Sequence, residues 1–215
     1  MSRSGGSGRP DLGLYTTKYA VRRLLDRIPG ISRLQPNAIS ISSLVPAALA
    51  AVALWQGWWA LVIVGILGRM ALTVLDGHVA EAYGKRTRIG PYANRVPQEF
   101  GDVVLLLALF AWAEPAWVCL VLAGAWLVNV LAVLPLLAGG APQWVGPGGQ
   151  PDRQAVILVV SGVAMVTAVP WTGVCMLLVA LSVVTIALRI GRTARELAAP
   201  AGGPPATHSP PTPAG

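Results

Sequence analysis

Six apolar segments fill most of the middle of this chain, and they restrict its fold more than any other feature. A helix needs about 20 predominantly apolar residues to cross a bilayer. The chain has 215 residues, of which 54% are hydrophobic and only 12% are charged, too few for the surface of a soluble domain of this length. The sequence therefore predicts an all-α integral membrane protein with six transmembrane helices, at residues 38–55, 58–75, 102–113, 117–137, 155–169 and 172–188.

The third and fifth segments are too short to span a bilayer by themselves. We expect the third helix to extend back through Asn94 and the fifth to extend back toward Asp152. Pro97 permits a second interpretation, because proline lacks a backbone donor and favours the first turn of a helix. On that interpretation the third helix begins near Pro97, and Asn94 lies in a loop.

The basic residues lie almost entirely on one side of the predicted membrane. The joints at residues 56–57, 113–116 and 170–171 contain no lysine or arginine. Of the 16 basic residues, all but Arg69 fall on the opposite side. The positive-inside rule therefore predicts cytoplasmic termini, in a bacterial-type inner membrane. The net charge of +7 indicates attraction to anionic lipid headgroups, and without a basic-aromatic platform it does not indicate a nucleic-acid partner.

The two ends of the chain differ in composition from its middle. Residues 1–15 and 198–215 are rich in Gly, Ser, Pro and Ala, which predicts a disordered arm and a disordered tail. Residues 16–33 form a juxtamembrane segment, and its part from 16 to 28 has the pattern of an amphipathic interfacial helix. Residues 34–197 are left as one six-span membrane domain.

Three polar residues interrupt the second apolar segment. Arg69, Thr73 and Asp76 are separated by offsets of four and seven, which places them on one face of a helix. A charge inside the bilayer costs at least about 2.5–3.5 kcal/mol, so this face should point toward other helices. Two interpretations follow: the face lines a polar cavity open to the cytoplasm, or Arg69 and Asp76 form a structural pair bridged by Thr73.

A second polar pattern continues from the end of this segment into the third. Its members are Asp76, Gly77, Ala80, Gly90, Asn94, Gln98 and Asp102. The last four recur every four residues, which on a helix gives one stripe. The pattern resembles the signature of the CDP-alcohol phosphatidyltransferases, D-x-x-D-G-x-x-A-R-x(8)-G-x-x-x-D-x-x-x-D. The positions that match are Asp76, Gly77, Ala80 and Gly90.

The resemblance implies both a fold and an activity. It implies a membrane protein of phospholipid synthesis, possessing six spans and forming a homodimer. Such a protein transfers a phosphatidyl-type group from a CDP-linked lipid to an alcohol and releases CMP, using Mg²⁺ or Mn²⁺. The stretch Gln35-Pro-Asn-Ala-Ile-Ser40 at the start of the first segment is also similar to the family's Thr-Pro-Asn-x-x-Thr.

Four charged positions of the signature are replaced in this chain. Thr73, Asn94 and Gln98 stand where the family has aspartates, and Glu81 stands where it has arginine. Neutral oxygens suit Mg²⁺ less well than carboxylates, and an amide cannot accept a proton near neutral pH. Asp102, one turn beyond Gln98, is therefore the candidate for a displaced base or ligand, although a polar residue at a helix end is also ordinary.

The resemblance assigns a role to each of these positions. The metal ligands would be Asp76 and Glu81, although Glu81 also fits a solvated surface glutamate. The catalytic positions would be Gln98 and Asp102. A Gly-rich stretch before the fifth segment ends in Asp-Arg, as in related proteins, and would contact a lipid phosphate or else form a flexible loop. The predicted substrate-binding residues are Arg69, Thr73, Gly77, Ala80, Gly90, Asn94, Asp152 and Arg153.

Two functions therefore stay open at this point. The positions that match the signature favour a phosphatidyltransferase. The replaced acids favour a catalytically inactive relative that binds a lipid or a partner protein. A small transporter is supported by Arg69 alone.

Overall fold

The computed structural model describes residues 31–198, and within that range every regular element is a helix. Three short 3₁₀ segments lie at Ile31–Arg33, Ala108–Ala111 and Leu134–Ala138. The α-helices are α1 (Pro36–Ser42), α2 (Leu44–Gln56), α3 (Trp59–Ala82), α4 (Gly90–Leu107), α5 (Pro115–Val133), α6 (Gln150–Ala164) and α7 (Trp171–Ala198).

The predicted all-α class is confirmed, and each of the six apolar segments overlaps at least one helix, although residues 165–169 of the fifth lie beyond the end of α6. Within residues 31–198, four ranges are long and apolar enough to cross a membrane, at Pro36–Gln56, Trp59–Ala82, Pro115–Ala138 and Trp171–Ala198. These ranges support an integral membrane protein. Six spans stay a prediction, because α4 carries three charged side chains and α6 has only 15 residues.

Helix α4 begins earlier than the proline interpretation predicts. It starts at Gly90, and Pro97 lies inside it. The interpretation that the helix begins near Pro97 is therefore wrong, and the extension back through Asn94 is confirmed. Pro91 lies in the first turn, where a backbone N–H has no acceptor within the helix. The N–H that proline lacks is therefore not needed there, which explains the early start. Helix α6 likewise extends back past Asp152 to Gln150.

The chain divides into two compact units. The described part of the first comprises residues 31–113 and 154–171. Its core contains fully buried side chains of α2, α3 and α4, among them Leu54, Val62 and Leu106. Helices α2 and α3 nearly touch at Gly65, where an added Cβ would lie 2.8 Å from the Cβ of Ala50. Small residues permit this close approach, as is common between helices in membranes.

The second unit, within residues 31–198, comprises 114–153 and 172–198. The loop after α5 packs against α7, where the backbone N–H of Gly148 donates to Oγ1 of Thr185 at 2.7 Å. Arg189 of α7 is buried and donates from Nε to the carbonyl of Val145 at 2.9 Å. Backbone groups of the loop thus form hydrogen bonds with the buried polar side chains of this apolar helix.

Three of the predicted regions cannot be compared with the structure. The disordered arm at 1–15 and the amphipathic helix at 16–28 lie outside the described residues, as does nearly all of the predicted tail at 198–215. The predicted membrane domain at 34–197 lies within the described range.

Candidate functional site

A cavity of about 450 Å³ opens in the first unit, where the C-terminal end of α3 meets the N-terminal ends of α1 and α4. A volume in this range is typical of small-molecule sites. The described residues that line it include most of the positions that the sequence pattern singles out. They are Pro36, Asn37, Ser40, Asp76, Gly77, Ala80, Lys85, Arg86, Thr87, Gly90, Pro91, Asn94, Arg95 and Gln98.

Asp76 is the only carboxylate among these described lining residues. It is buried, with 2% of its surface exposed. Its Oδ2 accepts a hydrogen bond from Oγ of Ser40 at 2.5 Å and another from Nδ2 of Asn94 at 2.7 Å. Hydrogen bonds to an ionised carboxylate are among the strong ones. Asp76 therefore ties α1, α3 and α4 together at the cavity wall.

The stripe on α4 forms a chain of amides. Nε2 of Gln98 donates to Oδ1 of Asn94, whose own amide nitrogen donates to Asp76. Residues four apart on a helix lie one above the other, which explains the contact. Both amides that replace the family's aspartates are thus engaged with protein groups.

Arg69 and Asp102 lie elsewhere, between α3 and α4. Each is only 2% exposed, and neither is among the residues that line the cavity. Arg69 donates from Nη2 to the backbone carbonyl of Gln98, and Asp102 and Glu99 attract its charge. At Gly101 an added Cβ would lie 3.0 Å from Cζ of Arg69, so the helices meet closely there. Asp102 therefore faces a buried cation.

Thr73 and Glu81 also lie outside the cavity's lining. Oγ1 of Thr73 donates to the carbonyl of Arg69 at 3.1 Å, one turn earlier on the same helix. Glu81 has an exposed side chain, with Oε1 at 3.9 Å from Nη2 of Arg86. Of the polar face predicted on α3, the structure brings Asp76 to the cavity and leaves Arg69 and Thr73 behind it.

Asp152 and Arg153 make contacts within the Gly-rich loop of the second unit. Oδ2 of Asp152 accepts from the backbone N–H of Gly149 at 3.0 Å, which caps the start of α6. Arg153 is fully buried and donates from Nη1 to the carbonyl of Gly148 at 2.6 Å. Neither residue is among those that line the cavity.

A basic border is the feature that the sequence pattern did not point out. Three cations, Lys85, Arg86 and Arg95, line the cavity. Lys85 donates to the carbonyl of Leu34 at 2.7 Å. Arg86 pairs with Glu81, and Arg95 pairs with Glu99 at 2.6 Å. The sequence predicts these residues only as part of the basic, cytoplasmic side of the protein. Ser40 was equally unassigned, although it ends the stretch at residues 35–40 that resembles the family.

The donor set does not fit a centre of two divalent cations. Within residues 31–198, no three His, Cys, Asp or Glu side chains cluster closely enough to hold a metal ion. Two such ions carry four positive charges, and Mg²⁺ prefers carboxylate oxygens. The cavity offers one carboxylate, and its Oδ2 already accepts two hydrogen bonds. That leaves Oδ1 of Asp76 as one carboxylate oxygen for two ions, and three cations repel a metal ion from the lining.

No protein-family model and no curated protein matches this sequence. Solved structures do match its fold. A phosphatidylinositol phosphate synthase from Mycobacterium tuberculosis with CDP-DAG bound superposes with a TM-score of 0.66 at 20% identity, covering 83% of this chain and 94% of that one. The same synthase in complex with manganese and citrate gives a TM-score of 0.66 at 19% identity, covering 82% and 88%.

These matches cover nearly the whole of the neighbour's chain, so the likeness extends to the entire membrane domain and not to one helix pair. At this level of identity they establish the fold. This integral membrane protein therefore has the fold of a phosphatidylinositol phosphate synthase, and its resemblance to the CDP-alcohol phosphatidyltransferases is confirmed at the level of the fold.

Proposed function

We propose that this chain is a divergent CDP-alcohol phosphatidyltransferase, which transfers a phosphatidyl-type group from a CDP-linked lipid to an alcohol and releases CMP. One observation carries the proposal. The cavity gathers Ser40, the Asp76-Gly77 pair and the Gly90–Gln98 stripe at one place, in a fold whose solved neighbour holds CDP-DAG.

The transfer itself requires a group that accepts the alcohol's proton. The alcohol oxygen forms a bond to the lipid-linked phosphorus, the bond from that phosphorus to the oxygen of CMP breaks, and the alcohol's proton passes to a base. Asp76 is the only described lining residue whose side chain can accept a proton at neutral pH, since Gln98 carries an amide. We therefore assign the proton to Asp76, and we route no step through a metal ion, because the donor set fits none.

A second candidate is a relative that binds the lipid without catalysis. Its support is specific: Asn94 and Gln98 form a closed amide chain on Asp76, and Asp102 faces Arg69. A network that is already hydrogen-bonded gains little from a reacting alcohol. On this proposal the cavity recognises a CDP-linked lipid, and the protein acts through that binding.

Release of CMP separates the two candidates. The full chain is reconstituted in lipid with CDP-diacylglycerol and candidate alcohols, and CMP is measured with and without Mg²⁺ or Mn²⁺. A transferase releases CMP, and Asp76→Asn lowers the rate by about a hundredfold or more, the usual contribution of a general base. Glu114→Gln is the control, because Glu114 lies in a joint between helices and is exposed.

The outcomes are distinct. No CMP from any alcohol, together with binding of CDP-diacylglycerol, supports the inactive relative. A full rate in Asp76→Asn removes Asp76 from the mechanism.

An inner-membrane location, cytoplasmic termini and a homodimer belong to the same proposal. The charge distribution supports the location and the orientation, and the resemblance supports the homodimer.

A further inference from the structure

The lining of the cavity carries an excess of positive charge. Among its described residues three are cationic, Lys85, Arg86 and Arg95, and one, Asp76, is anionic. A site built for divalent cations has the opposite balance, because carboxylates must offset the metal charge. A cavity with a cationic lining instead favours an anionic ligand.

The cations lie where a diphosphate can reach them. Lys85 and Arg86 come from the connection between α3 and α4, and Arg95 comes from the second turn of α4. The first residues of this 18-residue helix, Gly90 and Pro91, also line the cavity, so the positive end of the helix dipole lies at the same cavity. The cations and the dipole thus act on one ligand volume.

The ion pairs that Arg86 and Arg95 make are weak competitors for a phosphate. The Arg86 side chain is 75% exposed, and its nitrogen lies 3.9 Å from Glu81. The Arg95 and Glu99 side chains are 39% and 31% exposed. Ion pairs that exposed contribute only about 0–1 kcal/mol, whereas bidentate contacts from arginine to a phosphate are among the strong charge-assisted hydrogen bonds. Exchange of these partners for a diphosphate is therefore favourable.

We propose that the cavity binds the diphosphate of its CDP-linked ligand directly through Lys85, Arg86 and Arg95, with no divalent cation. This inference rests on the proposed function and deepens it, since it replaces the metal that the resemblance implies with fixed positive side chains. Asp76 and the amides then line the cavity without holding a metal ion.

Calorimetric titration tests the inference without any measurement of activity. The full chain in lipid nanodiscs is titrated with CDP, and with CDP-diacylglycerol, in EDTA and again in Mg²⁺ or Mn²⁺. We expect the dissociation constants in EDTA and in metal to agree within about threefold, and to rise with ionic strength as exposed charges are screened. Binding that appears only with a divalent cation overturns the inference and leaves the proposed function standing. No binding under any condition overturns both.

Matched variants locate the binding. Lys85→Gln and Arg86→Gln should each weaken CDP binding in EDTA by about tenfold, the value of one charged hydrogen bond. Arg88→Gln is the control, because Arg88 lies in the same connection, is exposed, and is not among the lining residues. Arg86→Lys, which keeps the charge, should retain more affinity than Arg86→Gln.

Equal losses in Arg88→Gln and Arg86→Gln would mean that the charge acts only through the general surface potential, which contradicts the inference. Thermal unfolding of each variant shows whether it is folded. Should one of the glutamine variants fail to fold, the comparison of Arg86→Lys with the unaltered chain in EDTA still decides the question.

Discussion

At the scale of single residues, the environment of Asp102 decides what it can do. Its position one turn beyond Gln98 made it a candidate base, yet the structure buries it between helices, where it attracts the guanidinium of Arg69. A carboxylate held next to a buried cation compensates a charge that would otherwise be costly in an apolar interior. Its catalytic role is therefore less well supported than that of Asp76, and its structural role can be tested directly.

The pair formed by Arg69 and Asp102 predicts strong energetic coupling. Asp102→Asn and Arg69→Gln should each lower the free energy of unfolding by about 3–5 kcal/mol, because the first removes one of the two acids that attract Arg69 and the second leaves Asp102 without its buried cation. The double variant should be destabilised by about 1–3 kcal/mol less than the sum of the two. Equilibrium unfolding in mixed micelles measures the three changes, and simple additivity would contradict the coupling.

At the scale of helices, the first predicted span is divided, and the division has a consequence for the cavity. Helix α1 is separated from α2 by a single residue, Ser43, whose φ of −63° and ψ of −16° are themselves helical. Its inward-facing Ser40 donates to Asp76 of α3. A seven-residue helix has little stability of its own, so this bond and apolar contacts such as Ile39 with Val79 hold it in place.

Ser40 and Ser42 form a matched pair on α1. Ser40→Ala removes a donor to a buried carboxylate and should cost about 1.5–3 kcal/mol of unfolding free energy. Ser42 is exposed and its hydroxyl bonds only to the carbonyl of Ile39 at 2.8 Å, so Ser42→Ala should stay within about 0.5 kcal/mol. The same unfolding measurement compares them. Equal effects would show that the bond from Ser40 to Asp76 does not stabilise α1.

At the scale of the whole molecule, hydropathy and charge act together on topology. The four long apolar ranges indicate that the protein lies in a membrane. The joints at 56–57, 113–116 and 170–171 contain no basic residues, which predicts one orientation. The cavity is lined by Lys85, Arg86 and Arg95, which belong to the basic side. The predicted orientation would therefore place the opening of the cavity on the cytoplasmic side.

Reporter fusions test that orientation in cells. A fluorescent protein fused after the last residue should fluoresce, because it folds in the cytoplasm, and alkaline phosphatase inserted at residues 56–57 should be active, because it requires the outer side. The same two reporters exchanged between the sites serve as controls and should be silent. The reverse pattern would contradict the positive-inside assignment and would place the cavity outside.

By itself, the sequence determined the membrane class, the approximate positions of the helices and the spacing of the stripe on α4, whereas the grouping of Asp76 with that stripe was implied by the resemblance to a known family. Hydropathy, charge and the four-residue spacing act within a segment, so they are legible without any tertiary contact. Only the tertiary structure decided that Asp102 faces Arg69, that Arg153 is buried by its own loop, and that Ser40 reaches Asp76 across 36 residues. Those outcomes depend on how each helix is rotated against its neighbours, which packing sets and no local pattern contains.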